Sequence, residues 1–257
     1  MLKNKLLVAA LASSFALPVM AADFTPSSNV GLVTNYLYRG ISQSGAKPAI
    51  QGGFDLSHSS GAYIGMWGSS ISWISDGGLA TNAGLELDTY AGYKGAAGDV
   101  SYDLGFLRYN YPTGEYVNPI PATFSKADTN EVYGAVTYSI VTAKLSYSLG
   151  DLFAVSNAKG STYLEVNASY AVPDTGITLG AHYGKQTYKG SSADNLKTGS
   201  ADPTYADYKL SVTKDFSGYV LGLAYSATNT TKGSGYYRVL SKDLGQSTVV
   251  LSLTRAM

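Results

Sequence analysis

From residue 30 onward, apolar and polar side chains alternate along this chain in short runs. Val30, Leu32, Thr34, Tyr36 and Tyr38 share one parity, and Ile50, Phe54 and Leu56 share another on the way back. This is the period-2 pattern of two strands, each with one apolar face. Gly40, Gly45 and Pro48 punctuate the loop between them, and Arg39 stands where the first strand gives way to it. The unit then repeats. Strands are predicted over 30–38, 49–58, 62–73, 85–93, 100–109, 130–138, 143–150, 161–171, 177–188, 205–214, 219–229 and 247–257. Most have about the length a strand tilted across an outer membrane requires.

The connections alternate in length. Short ones lie at 59–61, 94–99, 139–142, 173–176 and 215–218, where Gly supplies positive φ and Pro or Asp opens the turn. Long ones cover 39–48, 74–84, 110–129, 151–160, 189–204 and 230–246. Short turns on one side and longer loops on the other are the arrangement of an all-β, transmembrane antiparallel up-and-down β-barrel of about 12 strands with both ends in the periplasm. Alternation alone also fits a soluble, carbohydrate-binding β-sandwich with its faces reversed. The aromatics separate the two. On the apolar parity Tyr93, Tyr102, Tyr138, Tyr170 and Tyr219 fall beside the short turns, whereas Tyr36, Tyr38, Tyr183, Tyr208 and Tyr225 fall toward the loops. Two such rings are what the two interfaces of a bilayer select. Strand three is irregular, with Tyr63, Trp67, Ile71 and Trp73 on one parity and Ile64 and Met66 on the other, so a bulge or shift is expected there.

Composition sharpens this picture. Charged residues are 14% of the 257, against roughly 25% in soluble domains, so much of the surface need not face water. With no cysteine and zero net charge, neither a disulfide scaffold nor a basic surface for nucleic acid is indicated. Lys3 and Lys5, an apolar run over 6–19 and Val19-Met20-Ala21 read as a secretory signal peptide over 1–21, leaving 22–257 as the barrel domain.

The stretches Tyr36-Leu37-Tyr38-Arg39-Gly40-Ile41-Ser42-Gln43, Lys47-Pro48-Ala49-Ile50-Gln51-Gly52-Gly53-Phe54-Asp55, Trp67-Gly68-Ser69 and Glu86-Leu87-Asp88-Thr89-Tyr90-Ala91-Gly92-Tyr93 resemble the TorF-type porins of proteobacteria. The match is concentrated in the first half of the chain and continues in the second only as spacing. It implies an outer-membrane barrel with a transport role. Such proteins usually end in an aromatic residue read by the barrel-assembly machinery, whereas this chain ends in Met257, which keeps the outward parity without a ring.

If the apolar parity meets lipid, the other lines a lumen. Its acids are Asp55, Glu86, Asp88, Asp103, Glu131, Glu165 and Asp207, its bases Lys144 and Lys209, and its neutral polar groups include Gln51 and His182. Acids in excess predict a weak preference for cations. The same carboxylates could instead form ion pairs that fill a closed interior. Arg39 either reaches inward to pair with Asp55 or Asp88 at a constriction, or stays at the rim on lipopolysaccharide phosphate or a loop carboxylate. Gly40, Gly52 and Gly53 serve backbone bending, since no helix follows them to hold phosphate. Catalytic chemistry is poorly supported. His58 reads as interfacial beside a turn. His182 faces inward within reach of Glu165 and is more simply a satisfied luminal residue than the base of a barrel hydrolase. Glu86 and Asp88, two apart on one face, lack further ligands for a metal. The expectation is therefore a porin-like, non-enzymatic channel without cofactor, in contact with outer-membrane lipid, for small hydrophilic solutes or ions. The alternative is a non-conducting barrel that displays loops for adhesion.

Overall fold

The computed structural model describes residues 23–199, 201–230, 235–239 and 242–257; the signal peptide expected over 1–21 lies outside them. Among the described residues, twelve antiparallel strands close into a barrel. In chain order they are β1 Phe24–Val33, β2 Ala49–His58, β3 Ala62–Ser70, β4 Leu85–Ala97, β5 Val100–Asn110, β6 Thr129–Tyr138, β7 Val141–Ser148, β8 Thr162–Val172, β9 Ile177–Thr187, β10 Tyr205–Phe216, β11 Tyr219–Thr228 and β12 Thr248–Ala256. Each pairs with its sequence neighbours. β12 closes the ring on β1 through a register running from Asn29 opposite Ala256 to Val33 opposite Ser252. Met257 extends the seam by exchanging backbone hydrogen bonds with Ser28 at 2.8 and 2.9 Å. A closed ring leaves no unpaired edge, the condition for strands to cross a bilayer.

The side-chain distribution is inside-out relative to a soluble domain. Leu104, Val136, Leu145, Leu179, Leu210, Leu223 and Leu251 are exposed on the outer face, which is the surface that acyl tails would cover. Tyr93, Tyr138, Tyr170 and Tyr219 ring the short-turn end, and Tyr183, Tyr208 and Tyr225 ring the other. From Tyr208 to Phe216 on β10 the chain rises about 26 Å, or about 20 Å along the axis of a typically tilted strand, which suits a hydrocarbon core.

Three expectations are corrected. The first strand begins at Phe24 and ends at Val33, so Tyr36 and Tyr38 belong to the following loop and turn into the lumen rather than joining the outer ring. β3 carries no bulge. It pairs without interruption from Gln51 opposite Ser69 to Ser57 opposite Tyr63, with Ile64 and Met66 outward and Tyr63 inward. It also stops at Ser70, and Trp73 opens a one-turn helix, α1 Trp73–Asp76.

Inward tyrosines lie flat against glycines of the neighbouring strand. Tyr90 pairs with Gly65, Tyr63 with Gly92 and Tyr133 with Gly105. A Cβ on Gly105 would collide with the Tyr133 ring, and one on Gly184 would collide with Tyr163 and come within 2.6 Å of Asp207 Oδ2. Glycine is required here for close approach, and the ring covers the backbone it leaves bare.

The main apolar cluster lies in the loops above the barrel, not in its wall. Tyr36, Ile71, Ile74, Ala83, Tyr111 and Ala154 pack there. Ala80–Thr81 pairs with Glu115–Tyr116 across two loops, while a second helix, α2 Ser191–Thr198, joins the cluster formed by Leu152, Val155 and Tyr188.

Candidate functional site: a hairpin across the lumen

The loop after β1 folds into the barrel. Leu37–Tyr38 pairs with Ile41–Ser42, so Arg39 and Gly40 are the two central residues of a tight hairpin, at φ 47° and 77°. Positive φ at both positions is the I′ turn geometry that a two-residue hairpin prefers, and it explains Gly40. Space explains Gly40 as well. A Cβ would meet Asp207 Cβ at 2.6 Å and Thr228 Cγ2 at 2.8 Å, so the tip presses on the β10–β11 wall.

Both ends of the hairpin are tied. At its base Tyr36 donates to Glu86 Oε1 at 3.0 Å, and the hydroxyls of Tyr38 and Tyr109 hydrogen-bond to each other. At its tip Arg39 donates from Nη1 and Nη2 to Glu131 Oε1 and Oε2 at 3.0 and 2.7 Å, and from Nη1 to Gln186 Oε1 at 2.7 Å. Its guanidinium carbon lies 4.2 Å from the centre of the Tyr163 ring. Tyr205 donates to the Arg39 carbonyl at 2.8 Å, and Tyr109 to Glu131 Oε2 at 3.1 Å. The Arg39 and Glu131 side chains are only 6% and 2% exposed. Burial works against the guanidinium charge, but the Glu131 carboxylate more than offsets it and raises the pKa of Arg39 well above its ordinary value. Burial, then the Glu86 and Asp88 carboxylates, likewise push the Tyr36 hydroxyl up.

Arg39 therefore stands inside the barrel and not at the rim, and it pairs with Glu131 rather than with Asp55 or Asp88. Those two have other surroundings. Asp55 accepts from Tyr90 at 2.7 Å, while Asp88 is buried with Oδ1 unpartnered. Asp103 accepts from Tyr63 at 2.6 Å, and Gln51 donates to Ser69 at 3.3 Å. Lys144 lies 3.9 Å from Glu165 and faces the Tyr133 ring. His182 is 2.8 Å from Asp207 Oδ1, 2.7 Å from Asn167 Oδ1 and 3.8 Å from Glu165. His58, outside the lumen, is 2.8 Å from Ser60 Oγ and packs on Phe24.

The hairpin divides the interior. Below it a chamber of about 390 Å³ is lined by Asp88, Lys144, Glu165, His182, Asp207 and Lys209 among others. Above it a chamber of about 440 Å³ is lined mainly by loop residues, Trp73, Phe124, Phe153, Tyr236 and Tyr237 among them. Tyr38 and Arg39 are the residues common to both linings. Sequence reasoning singled out Arg39 and the inward acids, left Arg39 between an inward reach and the rim, and missed Tyr205, Gln186 and Tyr163. Gln186 and Tyr163 share the inward parity of their strands, and that was the available signal.

No curated protein matches this chain in sequence. Among solved structures it is similar to the KdgM porin in complex with disordered oligogalacturonate, at 8% identity and a TM-score of 0.51 over 90% of this chain and 98% of that one. It is similar also to the NanC porin, at 10% identity and a TM-score of 0.51 over 90% and 98%. At such identities the likeness is one of fold. The model of a family described as bacterial proteins of unknown function, Gcw_chp, matches residues 19–257, and the chain belongs to that family.

Proposed function

We propose that the protein is an outer-membrane channel for passive diffusion of small hydrophilic solutes or ions, weakly cation-preferring and gated at the Arg39 hairpin. The observation that carries this reading is a pair of chambers whose linings share only Tyr38 and Arg39. A shift of that hairpin would join the two chambers. The porin fold of KdgM and NanC and the resemblance to TorF-type porins support the same reading. Inward acid side chains at Asp55, Glu86, Asp88, Asp103, Glu131, Glu165 and Asp207 outnumber the interior cations Arg39, Lys94, Lys144, Lys209 and Arg238. An excess of one sign in a narrow, low-dielectric passage concentrates the other.

One observation favours the second reading, a non-conducting barrel that displays its loops. The hairpin is tied at both ends and crosses the whole lumen. Recording from the refolded protein in planar bilayers decides between them. Discrete conductance steps with a cation-sided reversal potential are expected in a salt gradient. A folded but silent barrel would leave the display reading standing.

A further inference from the structure

The outer chamber has a chemistry of its own. Trp73, Phe153, Tyr188, Tyr205, Tyr236 and Tyr237 turn rings toward it. Three of those tyrosines have already used their hydroxyls: Tyr205 donates to the Arg39 carbonyl at 2.8 Å, Tyr236 to the Phe153 carbonyl at 3.2 Å and Tyr237 to the Pro203 carbonyl at 2.6 Å. Burial pushes the hydroxyls of Tyr188, Tyr236 and Tyr237 well above the usual tyrosine range, so these rings stay uncharged. What they offer a visitor is aromatic surface.

Beside the amides of Gln43 and Gln186, the charge on this lining is one-sided. Among the described residues the charged side chains lining this chamber are Arg39 and Arg238, and no carboxylate lines it; Glu131, the partner of Arg39, is not part of the lining. The Trp73 indole Nε1 is buried without a hydrogen-bond partner. Arg39 is already held by Glu131 and Gln186, so among the described residues the lining donors without an acceptor are the Trp73 indole N–H and the Arg238 guanidinium; both only donate, and the missing complement is an acceptor, best an anionic one. A sugar would need hydroxyl partners that are already engaged, and an ammonium would face arginines. A volume of about 440 Å³ lies within the range of small-molecule sites.

We propose that the outer chamber binds a ring-bearing organic carboxylate, its rings among the tyrosines and Trp73 and its carboxylate toward Arg238 and the Trp73 indole N–H. As a solute on its way inward this ligand rests on the channel reading; as a bound molecule it does not. The test is calorimetric titration of the full barrel in lipid nanodiscs with 2-naphthoate, 2-naphthylmethanol and acetate. Saturable binding of 2-naphthoate is expected, with the alcohol weaker by about tenfold or more, the scale of one lost charge-assisted contact, and acetate, which lacks the rings, weaker by about tenfold or more through lost apolar burial. Trp73→Phe and Arg238→Gln should each weaken 2-naphthoate several-fold and leave the alcohol unchanged. Equal, non-saturating uptake of acid and alcohol would overturn the proposal, and so would 2-naphthoate affinity that neither substitution moves. Conductance of the same preparation separates the two claims. Channel steps without naphthoate binding remove the site and keep the channel, and binding to a silent barrel does the reverse.

Discussion

Replacing Glu131 by Gln should release the hairpin without unfolding the barrel. The substitution keeps the side chain's size but strips the charge and turns one of the two oxygens that accept at 2.7 and 3.0 Å into an NH2 donor, leaving a buried guanidinium with only neutral acceptors, one at position 131 and one at Gln186. Breaking a buried pair by removing one charge costs about 3–5 kcal/mol, chiefly because the other charge stays desolvated. The strand ladder does not contain this pair, so the cost falls on seating the hairpin. A hairpin seated 99 times in 100 is held by about 2.7 kcal/mol, half of the roughly 5.5 kcal/mol that inverts such a ratio. For a hairpin held no more tightly than that, a loss of about 3–5 kcal/mol makes the unseated form the majority. Single-channel recording should show a larger or longer-lived open level, while the gel shift between unheated and heated samples stays that of a folded barrel. Arg39→Ala should act in the same direction. Conductance unchanged in both variants, with folding intact, would refute the gate.

Other outcomes follow from the wall. Leu223→Arg, on the outer face between the tyrosine rings, should destabilise the barrel by about 2–4 kcal/mol in refolding titrations, the penalty for arginine near the bilayer midplane. Asp55→Asn together with Asp103→Asn should move the reversal potential toward the non-selective value, since both acids face the lumen away from the hairpin tip. Gly105→Ala should lower conductance with little change in ion preference, because the added methyl displaces the Tyr133 ring.

The barrel itself was legible because each strand repeats the same two-residue period and each connection announces its length, so errors at single strand ends do not disturb the count. What stayed hidden has a physical cause in each case. Tyr36 and Tyr38 carry the apolar parity, and a tyrosine reads alike whether its ring meets lipid or a packed lumen; only the hydroxyl partners Glu86 and Tyr109 distinguish the two. β3 seemed irregular because Tyr63 faces inward against a glycine, an arrangement that needs the register of β4 to be known. The partner of Arg39 lies 92 positions away on the opposite wall, beyond any local pattern. Its inward reach was legible as one of two alternatives.

The tyrosines laid over bare backbone have a consequence for what the barrel can sort. Tyr63, Tyr90 and Tyr163 are also pinned by hydroxyl contacts to Asp103, Asp55 and Asp207, so at those heights the calibre of the passage is a fixed property of the tube. On the channel reading proposed above, the hairpin is the part that shifts, like a shutter in front of an aperture cut to one diameter. A size limit would then persist even in variants whose shutter no longer closes.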